Sequence, residues 1–128
     1  MNAIVNMADL NAPALTDDGL EAAAVNAEAT LRHTPDRETW TEVAAIFRLE
    51  QVRRSLRHWG LGAEVWTHSG YQDGPTLGAW IGGKAVRVEY WPASDGLDPL
   101  YAVFTRGELF STSEDRVTVP ADMIEAAR

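Results

Sequence analysis

The chain reads as an α+β domain: two N-terminal helices packed on an antiparallel β-meander of four to five strands, with a short C-terminal helix. Three observations predict this. Apolar residues recur at helical spacing up to about residue 59 and then switch to a period of two. Two tight turn signals, Gly82-Gly83 and Arg106-Gly107, join consecutive alternating runs. Pro120 then opens one last short segment of helical character. Helices segregated from hairpin-linked strands define the α+β class.

Residues 1–15 are expected to form a flexible tail, with a short edge strand over residues 3–7 as an alternative, and residues 16–128 a single domain. The first helix is expected over residues 17–33. Thr16, Asp17 and Asp18 are all N-cap types, and Asp18 precedes Glu21 at capping-box spacing. Its apolar stripe is Leu20, Ala24, Ala27 and Leu31. Thr34 as N-cap and Pro35 as first helical residue would open the second helix, which stops at Gly60. That helix carries two apolar stripes. One is Ala45, Leu49, Val52, Leu56 and Trp59; the other is Trp40, Val43, Ala44 and Phe47. Two stripes imply two neighbours, the sheet and the first helix.

Strands are expected over residues 63–68, 76–81, 84–91, 100–105 and 108–112, a further short one over 117–119, and the last helix over 121–127. Alternation assigns their faces. Val65, Leu77, Ala79, Ile81, Val86, Val88, Tyr90 and Val103 form the set that meets the helices. Trp66, Trp80, Trp91, His68, Arg87, Glu89 and Phe104 form the other.

Composition narrows the function. The chain has 128 residues, a net charge of -8 and no cysteine, so thiolate metal sites, disulfides and a cysteine nucleophile are excluded. Residues 41–60 carry four arginines (Arg48, Arg53, Arg54 and Arg57) against Glu42 and Glu50, while acids dominate on either side. This run reads as a solvated helix face, with a phosphate or acidic-partner patch as the alternative. Strong nonspecific nucleic-acid binding is not expected from so acidic a chain. No apolar run is long enough to span a bilayer, and no leader pattern is visible, so a cytoplasmic protein is expected. No cofactor or metal is expected. His33, His58 and His68 show no ligand spacing, and the glycines form no phosphate loop. Asp73, Asp95, Asp98, Glu114 and Asp115 fall in turns, where acids solubilise a turn or mimic phosphate on a basic partner.

Five tryptophans are many for a chain this short. A face mixing Trp66, Trp80 and Trp91 with Arg87 and Glu89 has the composition of a recognition surface. The expected function is therefore that of a non-catalytic acidic binding protein. It would be an inhibitor or antagonist, immunity-like or phage counter-defence-like, occluding or charge-mimicking at a basic protein or nucleoprotein. Trp40 and Phe47 are a second candidate interface, suited to a homodimer, should the first helix leave them open. Two other classes remain: a small-molecule-binding domain with a Trp-lined sheet face, and a small acid–base enzyme using His68, Arg87 and Glu89.

Overall fold

The computed structural model describes residues 11–66, 74–94 and 96–128. Expectations that rest on residues 1–10, His68, Asp73 and Asp95 lie outside these.

Helix α1 spans Asp17–Leu31 and α2 spans Arg37–His58. The strands are β1 (Ala63–Trp66), β2 (Thr76–Ile81), β3 (Lys84–Trp91), β4 (Leu100–Thr105) and β5 (Glu108–Ser113), followed by α3 (Val119–Ala126). The sheet is an antiparallel meander in the order β1-β2-β3-β4-β5, so the α+β architecture stands as the sequence predicts. Both predicted hairpin turns have positive φ at their two central residues: 58° and 81° at Gly82 and Gly83, 55° and 77° at Arg106 and Gly107. That backbone matches the twist of the strands it joins.

The molecule has three layers. The inner face of the sheet meets α2 and α3 through Leu49, Val52, Leu56, Leu77, Val86, Val88, Val103, Val119 and Met123, all essentially inaccessible. On the far side of α2 lies α1, which buries the predicted stripe Leu20, Ala24, Ala27 and Leu31. Alanines in that stripe let the two helices approach closely, and Val43, Ala44, Ile46 and Phe47 of α2 fill the seam. Helix α2 is thus the central element, and residues 42–47 are buried on every side.

The layers are tied by polar groups that cross them. Arg48 on α2 pairs with Glu21 at 2.9 Å and Glu28 at 2.5 Å, both on α1. The Tyr90 hydroxyl on β3 donates to the same Glu28, so one carboxylate joins all three layers. Burial, reinforced by Glu28, pushes the Tyr90 phenol well above its ordinary value. Its ring neighbour Tyr101, 4.9 Å away, is pushed up to about 12, mainly by burial.

Several local expectations are corrected. Thr16 caps α1 by accepting from the Gly19 amide; Glu21 instead accepts from Arg48 and Gln51. Helix α2 opens at Arg37, capped by Asp36, because the Thr34 hydroxyl accepts from the Asp36 amide and turns the chain first. Trp59 is 54% exposed rather than part of the sheet-facing stripe. The helix ends before it in a Schellman turn, with Gly60 bonding Arg57 and Leu61 bonding Leu56. Leu61 takes the core place expected of Trp59. Residues 116–118 form a 3-10 turn rather than a strand, capped by Asp115 on the Val117 amide.

The arginine run is only partly a solvated face: Arg57 is exposed, while Arg53 and Arg54 are half-buried. Glu50 is 1% exposed, and Arg53 and Arg54 fold over it at 2.6 and 3.1 Å. Arg54 also reaches Asp17 and donates to the Ala12 and Leu15 carbonyls, holding residues 12–15 against the helices with Ala12 fully buried.

Candidate functional site

Cross-strand register decides which residues share the outer face of the sheet. One row runs Glu64, Gly78, Arg87, Phe104 and Leu109 across the five strands. The next runs Trp66, Thr76, Glu89, Ala102 and Thr112. Thr76 joins that row by alternation, since Leu77 pairs with Val88. Trp80 opposes Ala85 beside the Gly82-Gly83 turn, and Trp91 opposes Leu100 at the other end. Among the predicted site residues, Trp66, Trp80, Trp91, Arg87 and Glu89 are therefore brought to one face, with Phe104 among them. All the described helices pack elsewhere, on the inner face or beyond it.

The three tryptophans stay in water: Trp66 is 43% exposed, Trp80 72% and Trp91 42%. Two of them are held in a repeated way. The Trp66 Nε1 donates to Glu64 at 3.1 Å, and the Trp91 Nε1 donates to Glu89 at 3.0 Å. In both cases the carboxylate lies two residues earlier on the same strand, where the pleat returns to the same face. Trp66 then leans across the strand boundary over Gly78. Arg87 stacks on Phe104, its guanidinium carbon 4.5 Å from the ring centre, and lies 3.6 Å from Glu89.

Comparison of the chain with family models, with curated proteins and with solved structures finds no match in any of the three. The geometry alone carries the functional argument.

Trp40 and Phe47 do not join this face. Phe47 is buried in the α1–α2 seam and Trp40 is half-buried against it. Alternation from Trp66 puts Glu64 on this face and the register adds Leu109, though neither is among the contact residues predicted from sequence. The Glu-x-Trp repeat at 64–66 and 89–91 is the signal for Glu64. Phe110 is 45% exposed at the register shift on β5 opposite Val103 and Phe104.

A concavity of about 760 Å³ lies between the C-terminal half of α2, β1 and residues 13–17, with Glu64 of the outer face among the residues that line it. Arg53 and Arg54 line it, but both are committed to Glu50. Among the described residues no group of His, Asp and Glu side chains could hold a metal ion. No described helix is long and apolar enough to cross a membrane.

Proposed function

We propose that this protein is a non-catalytic binding protein that docks a basic protein partner on the open face of its sheet, acting as an inhibitor or antagonist by occlusion. The observation that carries this reading is the set of three exposed tryptophans on a sheet face to which no described helix is applied. Such rings bring large contact area at little entropic cost and are the usual anchors of protein interfaces. A net charge of -8 would steer a cationic partner toward the molecule. Acid–base chemistry is less well supported, because Arg87 and Glu89 sit 3.6 Å apart and Arg87 is also stacked on Phe104. A small-molecule site would need the tryptophans to wall a cavity, and the 760 Å³ concavity is not lined by any of them.

The test begins with affinity capture from lysates at low and moderate salt. The purified captured protein is then titrated against wild type and the Trp66→Ala, Trp80→Ala and Trp91→Ala variants. The reading expects a basic partner whose affinity falls as salt rises. It also expects at least one variant to weaken binding by roughly tenfold or more while its melting temperature stays near wild type. Unchanged affinity in all three variants, or loss of binding only in step with loss of stability, would sink it.

A further inference from the structure

We propose that the open face recognises two arginine or lysine side chains of its protein partner, one at the Glu64–Trp66 pair and one at the Glu89–Trp91 pair. This rests on the reading of that face as the docking surface.

The indole hydrogens of Trp66 and Trp91 are both engaged within the molecule. Each of these rings donates its Nε1 hydrogen to its own strand's carboxylate, at 3.1 and 3.0 Å. Neither ring then has a donor left for a partner. What each presents is a π face, rich in negative potential, with a carboxylate fixed at its edge. The hydrogen bond itself pushes electron density into the ring. A cation laid on that face meets both attractions at once.

The molecule already uses this chemistry internally. Arg87 lies over the Phe104 ring at 4.5 Å and beside Glu89 at 3.6 Å, an arginine held between an aromatic face and a carboxylate. Glu64 and Trp66 repeat the pairing of carboxylate and ring, and Glu89 serves Arg87 and the Trp91 indole together.

Geometry sets the spacing of the partner's cations. Trp66 shares a row with Glu89 two strands away, and Trp91 is two residues further along β3. Strand spacing and rise then put the two tryptophan positions about 12 Å apart. Two basic residues four apart on an extended segment span about that distance. The surrounding charge fits as well. Asp98, Glu114 and Asp115 follow the same end of the sheet, with Arg116 the described base among them. Trp80 stands at the opposite end of the sheet, opposite Ala85, with no glutamate two residues before it.

Two peptides test this at low ionic strength: an N-acetylated, C-amidated Gly-Arg-Gly-Gly-Gly-Arg-Gly and its citrulline counterpart, which keeps the shape and removes the charge. Tryptophan fluorescence and calorimetry read the binding. The arginine peptide is expected to bind saturably, with dissociation constants on the order of millimolar, and the citrulline peptide roughly tenfold more weakly. Glu64→Gln and Glu89→Gln keep an acceptor for the indole and remove the charge, so each is expected to weaken the arginine peptide roughly threefold to tenfold. Val25→Ala, at an exposed position on α1 away from the sheet face, is expected to leave it unchanged. Equal binding of the two peptides, insensitivity to both Gln variants, or no saturable binding of the arginine peptide would each overturn the proposal. The docking reading fails separately: it falls if the captured partner ignores Trp66→Ala, Trp80→Ala and Trp91→Ala, whatever the peptides do.

Discussion

The ring of Trp66 lies across Gly78 on the neighbouring strand, so close that a β-carbon on Gly78 would stand 2.5 Å from its Cζ3 and Cη2 atoms. Glycine in the middle of a strand is intrinsically unfavourable. Here it gives the ring a flat bed, and the bed keeps the π face turned outward.

Gly78→Ala is therefore expected to lift the Trp66 ring off the sheet. Relief of the glycine penalty, about 0.5–1 kcal/mol, offsets much of the lost packing, so stability should change by less than about 1 kcal/mol. Tryptophan emission should shift to the red and partner binding should weaken. An unchanged spectrum would show that the ring does not need the glycine.

The Glu50 carboxylate sits under two arginines and gives the fold an acid-sensitive point. Burial raises its pKa, but the hydrogen bonds and charges of Arg53 and Arg54 outweigh this and hold it below its ordinary 4.5. Glu21 is also held low, chiefly by the Gln51 hydrogen bond, with Arg48 assisting. A depressed folded-state pKa contributes stability above the unfolded value, and that contribution is lost as pH falls through the folded value. Glu50→Gln should cost about 2 kcal/mol at neutral pH, less than a fully buried pair because both arginines are partly exposed. The melting temperatures of wild type and variant should draw together as pH falls below the ordinary glutamate value. Parallel curves down to acid pH would contradict the pairing.

Arg54 ties residues 12–15 to the helices through two carbonyls, at 3.2 and 2.6 Å. Removing its side chain should cost about 2 kcal/mol and speed proteolysis within residues 11–16. Arg54→Lys should rescue only part of this, because an ammonium lacks the planar fork that spans Glu50, Asp17 and the carbonyls. Limited proteolysis with mass spectrometry reads the cut site directly.

Tyr90→Phe removes the hydroxyl that reaches Glu28 yet leaves Glu28 paired with Arg48, so about 1 kcal/mol should be lost. Arg48→Ala leaves Glu21, Glu28 and Gln51 without their shared donor and should cost more, about 2–3 kcal/mol. A double-mutant cycle should show non-additivity, since both act on one carboxylate.

Local periodicity and turn chemistry made much of this fold legible. The limits of β2, β3 and β4 follow from alternation stopped by Gly82-Gly83 and Arg106-Gly107, and the buried stripe of α1 follows from a spacing of four and three. The gathering of Trp66, Trp80, Trp91, Arg87 and Glu89 on one face needed only strand parity and a meander. What escaped depended on partners distant in sequence. Glu50 and Arg54 look solvated on a helical wheel, but Arg53 and Arg54 cover Glu50, and Arg54 is drawn onto the carbonyls of Ala12 and Leu15 far away in sequence. Trp59 looked like core until the Schellman turn replaced it with Leu61. A register shift such as that on β5 leaves no mark in an alternating pattern.

That irregularity has a consequence for how such a molecule stays dispersed. A sheet with aromatic rings in water on one face carries an obvious hazard of templated fibril growth. Growth of that kind recruits chains edge to edge, onto a straight strand with unpaired backbone groups. On β5 Phe110 is itself the extra residue between Leu109 and Ser111, and it interrupts the ladder. The β5 rim is thus a poor template for another copy, and the opposite rim, β1, offers only the four residues Ala63–Trp66 for such pairing.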